Sequence, residues 1–214
     1  MRFRASGPPM TLATFRISGS AGLTTSSNPF SLAPARMHEA EGSGRRAFAV
    51  FQALRHPGPL VWILRAHALH RPLPPALPGD VGARLHLLTP RSETDLLWAV
   101  EETLRAAPVG LVIAEPLEPL SLTAGRRLQL AAKSGDTTGL MLVKDSHGSP
   151  AAETRWTCAP APLDGRASTG HIWRVTKNKK GTTGTWMVDW DGASAAFDLV
   201  SAAGERSEPA APAR

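Results

Sequence analysis

Gly42 and Gly44, one residue apart, stand directly ahead of an apolar helical run, and Arg45 and Arg46 follow them. Strand, glycine turn, helix is the setting of a phosphate-binding loop, where backbone amides and a helix N-terminus hold anionic oxygens. Phosphoryl transfer also needs a lysine for the phosphates and a Ser/Thr hydroxyl for magnesium. Arginines stand in those positions here, so the pattern reads as a structural turn. Glu115 closes the apolar run 109–114. A carboxylate at the carboxyl end of a parallel strand lies where ligands gather, but alone it cannot run the chemistry. His67 and His70, three apart, would share a helical face as metal ligands; with no third ligand evident, they read as surface or capping residues. Two basic groups remain. Arg126, Gln129 and Lys133 project together from a helix at spacings of three and four. Lys177, Lys179 and Lys180, with Arg166 and Arg174, have no acid between Asp164 and Asp189. Each group is either a solvated face or a contact for an anionic partner.

The elements that must carry these residues are clearest from residue 92 to 143. Ser92 caps a helix with Asp95 as the acidic member of a capping box. Leu96, Leu97, Val100, Leu104 and Ala107 recur at helical spacing, with Glu93, Glu101, Glu102 and Arg105 on the other side. Pro108 ends that helix. The run 109–114 lacks alternation, as a strand buried on both faces does. Ser121 opens a second helix along Ala124, Leu128, Ala131 and Ala132; Gly135 offers a left-handed cap, and 138–143 is a further buried strand. Strands joined through a helix make right-handed crossovers, so this is the centre of a three-layer α/β domain. Strands are also expected at 36–41, 60–64 and 85–88, with a helix over 47–54 and a proline-rich connector at 72–78. Later, 153–158 is a short strand. Residues 171–177 pair with 185–190 and lead to 195–200, an antiparallel meander extending the sheet.

The 214 residues allow one domain with tails. We expect a flexible N-terminal arm over 1–31 with a short β segment near 11–17, a domain over 32–200 and a disordered tail over 201–214. Met10 and Met37 are further possible start points. The formal charge of +6 points toward an acidic partner such as nucleic acid. Arginine greatly outnumbers lysine among the 24 basic residues and Ala, Gly and Pro abound, a composition that GC-rich coding produces by itself. The single Cys158 excludes an internal disulfide and a cysteine-built zinc site. No apolar run suits a signal peptide or a membrane span, so the expected location is cytoplasmic.

Taken in order, residues 32–200 resemble the recombinase core of the RecA superfamily, and within it the degenerate branch of ImuA-type (SulA-like) accessory proteins of damage-inducible mutagenesis. The residues that carry the resemblance are Met37-His38-Glu39-Ala40-Glu41-Gly42, Arg65-Ala66-His67-Ala68-Leu69, Leu88-Thr89-Pro90, the run 109–115 and Arg174-Val175-Thr176-Lys177-Asn178-Lys179. Ile113-Ala114-Glu115-Pro116 and the run 120–128 are similar to the ImuA type itself. The resemblance implies a RecA-like three-layer core with a mostly parallel sheet.

It also implies what has changed. The recombinase phosphate loop corresponds to Gly42, Gly44, Arg45 and Arg46, shortened and without lysine or hydroxyl. The water-activating glutamate is replaced by Ala66, and the magnesium-side carboxylate corresponds to Glu115. Only residues 144–150 remain for the DNA-binding loop. Lys177 and Lys179 correspond to a pair that reaches a neighbouring subunit's nucleotide. The expectation is a non-catalytic adaptor without cofactor or metal. Its partners would be a polymerase-like mutasome protein, an error-prone C-family DNA polymerase and, as a further candidate, RecA, with weak DNA contact and no membrane. A DNA-dependent ATPase and a SulA-like cell-division inhibitor are the alternatives.

Overall fold

The computed structural model describes residues 15–17, 29–68, 70–144, 148–162, 169–191 and 196–203, with the strands over 15–17 and 196–203 described by backbone alone. Its strands are β1 (Phe15–Ile17), β2 (Met37–Glu41), β3 (Leu60–Leu64), β4 (Leu85–Leu88), β5 (Leu111–Glu115), β6 (Thr138–Leu142), β7 (Thr154–Ala161), β8 (Thr169–Asn178), β9 (Gly184–Asp191) and β10 (Ala196–Ala203). The helices are α1 (Arg45–Arg55), α2 (Val81–Arg84), α3 (Glu93–Arg105) and α4 (Leu122–Gly135). One sheet holds every strand of the described residues, in the order β1-β10-β9-β8-β7-β2-β6-β5-β3-β4. From β7 to β4 neighbours run parallel; from β7 outward through β8, β9, β10 and β1 they run antiparallel. The fold is therefore α/β, with a parallel core and an antiparallel meander beyond it. Among the described residues no helix is long and apolar enough to cross a membrane.

Strand alternation divides the core into two layers of side chains. On one face Leu60, Trp62 and Leu64 of β3, Leu111 and Ile113 of β5, and Leu140 and Leu142 of β6 pack under α1 and α2. On the other, Val61, Ile63, Val112, Ala114 and Met141 pack under α3 and α4. Burial from both sides is why these strands read as unbroken apolar runs. An aromatic cluster continues the first layer toward the meander. Phe48 lies 4.8 Å from Trp156 and 5.1 Å from Trp173, and Phe51 lies 4.7 Å from Trp173. Phe30 joins it edge-on to Phe51 and Trp173, and its carbonyl accepts from the buried Gln52 amide at 2.8 Å.

Several local expectations are corrected. The left-handed residue ending α4 is Asp136 (φ 53°) rather than Gly135. Gly135 is needed for closeness: a Cβ there would lie 2.1 Å from the Leu104 carbonyl oxygen. Residues 65–68 form a turn instead of a helix, with the Ala68 amide bonded to the Arg65 carbonyl, so His67 and His70 have no common helical face. Glu101 is buried, not on the outer side of α3, because it accepts from both Arg105 and Arg127 and ties α3 to α4.

β2 has the most demanding place, inserted between β6 and β7. Its His38 is fully buried. His38 Nε2 is 3.0 Å from the Ala33 carbonyl, which can only accept, so the ring proton is on Nε2. Nδ1 then accepts from the Thr154 hydroxyl at 2.7 Å, and Thr154 accepts in turn from Trp156 Nε1. Burial pushes the His38 pKa down to about 4. Between about pH 6.5 and about 4 the unfolded chain binds a proton that the folded chain refuses. The contribution is thus complete above about pH 6.5 and is lost as pH falls through that window, by up to about 3 kcal/mol. We expect His38→Gln to flatten the stability-versus-pH curve there, measured by urea unfolding. Parallel curves for the two proteins would show that His38 is not the titrating group.

Candidate functional site

Leu111 and Ile113 face α1, so Glu115 at the end of β5 also faces α1. The first turn of α1 brings Arg46 to meet it. Arg46 Nε donates to both carboxylate oxygens at 3.0 and 3.2 Å, and Nη2 donates to Oε2 at 2.8 Å. Trp62 Nε1, from the adjacent strand β3, donates to Oε1 at 2.9 Å. The remaining reach of Arg46 Nη2 goes to the His70 carbonyl at 2.9 Å. The carboxylate, 13% exposed, is thus held by a fork of guanidinium and indole donors. This is the place at the carboxyl ends of the parallel strands where a cation or phosphate would otherwise be expected. The sequence marked both Arg46 and Glu115, but their contact spans 69 residues. It missed Trp62, whose indole was hidden in an apolar run.

The glycine turn faces the chain itself. Gly42 has φ +87°, and a Cβ there would lie 2.4 Å from the Cys158 carbonyl oxygen of β7. The Gly44 amide donates to that same carbonyl at 2.9 Å. The Arg45 guanidinium donates to the Gly42 carbonyl at 2.9 Å and closes the turn. Glycine is required at position 42 by backbone conformation and by this close approach. Cys158 is buried, and burial, with the Glu41 charge second, raises its thiol pKa, so it stays protonated and is no nucleophile.

A second polar row crosses the opposite face. Glu39, Arg155 and Lys177 are successive register partners on β2, β7 and β8. Glu39 is fully buried; it accepts from Arg155 Nε at 2.9 Å and from the Ser149 amide at 2.6 Å. Burial raises its pKa, and those two hydrogen bonds oppose the shift. Lys177 donates to the Pro150 carbonyl at 2.6 Å and Lys179 to that of Ala151 at 2.7 Å. Both ammonium groups therefore fasten the segment leading into β7. Burial, then the neighbouring Lys179 charge, lowers the Lys177 pKa. Lys180 is exposed, and among the described residues its ammonium has no partner. Arg166 lies outside the described residues.

On α4, Arg126 and Lys133 are exposed as the spacing implied, but Gln129 is half-buried. Its Oε1 accepts from the Met37 amide at 3.1 Å, supplying the first residue of β2 with an acceptor. Gln129 is a structural contact and leaves the basic pair alone on that face.

The fork on Glu115 yields a stability test. Arg46→Ala leaves a mostly buried carboxylate with one indole donor, and should cost about 1–3 kcal/mol, below the full penalty for a buried pair because Arg46 is partly exposed. Adding Glu115→Gln should recover at least half of that loss, since no unpaired charge remains. A double variant no more stable than the single one, in urea unfolding, would assign the loss to something other than the pair.

No protein-family profile matches the chain. It is similar to the curated "Protein ImuA" of Caulobacter vibrioides (strain NA1000 / CB15N), 34% identical over an alignment of 119 residues that covers 50% of this chain and 48% of that protein. The same figures hold for the protein of that name from Caulobacter vibrioides strain ATCC 19089 / CIP 103742 / CB 15. The chain spans about half the length of the curated relatives it matches. Over about half of its length, this α/β chain is similar to ImuA.

Proposed function

We propose that the chain is a non-catalytic adaptor in damage-inducible, error-prone DNA synthesis. In this reading it joins a polymerase-like mutasome partner and an error-prone C-family DNA polymerase at damaged DNA, with RecA as a further docking partner, in the cytoplasm. The observation that carries the reading is the Arg46–Glu115 fork. A RecA-type ATPase needs that carboxylate free for the metal side of a nucleotide, with a lysine and a hydroxyl in the glycine turn. Here the guanidinium standing in the turn consumes the carboxylate, and the Gly44 amide is spent on Cys158. The similarity to ImuA supplies the mutagenesis context. With Lys177 and Lys179 fastened to residues 150 and 151, Lys180 is the lysine of that hairpin left to reach a partner.

Two measurements test this. Purified protein should show no ATP turnover above background, with or without single-stranded DNA, since groups that act as a unit leave little activity when several are missing. Turnover that disappears in Glu115→Ala would establish the DNA-dependent ATPase instead. The tagged chain should also capture the polymerase-like partner from damage-induced cells. Filamentation on overexpression in cells lacking both polymerase partners, without such capture, would favour the SulA-like division inhibitor.

A further inference from the structure

The outer surface of the α3–α4 layer carries four of the six large apolar side chains exposed among the described residues: Trp98 on α3, Leu122 and Leu130 on α4, and Leu117 on the loop between β5 and α4. Trp98 is 64% exposed and Leu130 66%. The two helices differ in charge. α3 carries four carboxylates and one arginine, whereas α4 carries two arginines, one lysine and no carboxylate. Glu101 and Arg127 pair across the join between them. On the outer side of α3, Trp98 stands between Asp95 and Glu102, which lie three residues before it and four after it on one face. Asp95 is exposed and accepts from the Ser92 hydroxyl; Glu102 pairs with Arg105 and keeps 49% of its side chain exposed. On the outer side of α4, Leu122, Arg126, Leu130 and Lys133 form one exposed stripe. Among the described residues, neither cation of that stripe has a carboxylate partner.

What covers this layer must satisfy both halves. An acidic helix or a phosphate backbone meets the carboxylates of α3, and a basic segment meets the cations of α4. An apolar surface that is acidic on one side and basic on the other complements both once it is turned over, and a second copy of the layer is such a surface. α3 leads from β4 into β5 and α4 from β5 into β6, through parallel strands, so the two helices run in the same direction. A two-fold axis lying along the join therefore sets α3 of each copy on α4 of the other and keeps every residue at its own height along the helices. Trp98 and Ala124 line one groove of about 290 Å³ between α3 and α4, which puts them at a common height. Trp98 then falls on Leu122 and Arg126 of the second copy, an apolar contact and a cation over an indole face. Glu102, one turn on, falls between Arg126 and Leu130 of that copy. The formal charge of +6 per chain opposes association at a distance. At physiological salt that repulsion is screened beyond about 8 Å, and the pairs brought into contact are of opposite sign.

We propose that the chain forms a two-fold symmetric dimer through its α3–α4 layer, with Trp98 and Glu102 of each copy set against Leu122, Arg126 and Leu130 of the other. The inference goes beyond the adaptor reading and does not depend on it. Two helices of this length present a patch roughly 20 Å square. That is at the low end of specific interfaces, so the expected dimer has a Kd of about micromolar order. The test is sedimentation velocity of the purified chain alone, over concentrations from about 1 to about 100 μM. The wild-type mass should rise from one chain to two. Trp98→Ala should weaken the dimer about tenfold or more, as loss of a central aromatic anchor does. Glu102→Arg and Arg126→Glu should each shift the chain toward monomer, because like charges then meet at both symmetry-related contacts. An equimolar mixture of those two variants should regain the dimer, since every 102–126 contact between unlike copies again joins opposite charges. All three sites are exposed, and an unchanged circular dichroism melt confirms intact folding. A wild-type chain that stays monomeric at about 100 μM overturns the proposal. So does a dimer indifferent to Trp98→Ala, which would use another face, or a mixture that stays as monomeric as its components. Capture of the polymerase-like partner is scored separately, so the adaptor reading stands or falls on its own result.

Discussion

A strand hemmed in on both edges and both faces can carry polar side chains only where every polar atom finds a partner. β2 is such a strand, and it places His38 and Glu39 side by side at zero exposure. Much of the surrounding structure answers that demand. His38 draws in Ala33 and Thr154, and Glu39 draws in Ser149 and Arg155. Arg155 then stands beside Lys177, which reaches back to the segment that supplied the Ser149 amide. That segment is pressed between sheet and helix: a Cβ on Gly125 of α4 would lie 2.1 Å from Ser149 Oγ. The register of β7 against β2, the path of residues 148–153 and the closeness of α4 are thus parts of one satisfied network.

The same principle gives the glycine turn ahead of α1 its character. The mostly buried Glu115 carboxylate, ending a parallel strand, is met by a cation, and the cation is a side chain. Arg46 is suited to it because a guanidinium grips both oxygens at once, which a lysine ammonium does not do. A single residue type in the first turn of α1 therefore sets whether the end of β5 faces an open site or a closed one.

Local pattern made much of this fold legible. α3 and α4 begin at Ser92 and Ser121 because those side chains accept from the amides three residues on. The apolar runs that became β3, β5 and β6 lack alternation because helices cover both faces. What stayed hidden depends on contacts distant in sequence. Glu101 looks solvent-facing until α4 delivers Arg127. Gln129 looks like part of a basic face until Met37 proves to need an acceptor. Gly135 looks like a cap until the Leu104 carbonyl is seen above it. Arg46 and Glu115 were each visible as residues of interest. Their pairing required knowing that β5, β3 and α1 share one side of the sheet.

The packing of Phe30 bears on where the folding unit begins. Its ring touches Phe51, Trp156, Trp173 and Trp186, and its carbonyl holds the Gln52 amide. Three residues later, the Ala33 carbonyl fixes the His38 tautomer. Translation initiated at Met37 would deliver every strand of the parallel core, yet leave a hole among four aromatic rings and strip the acceptors from two interior side chains. Methionine 37 is a strand residue with a core role, and a shortened product beginning there would be a substrate for proteolysis before it was a smaller version of the same protein.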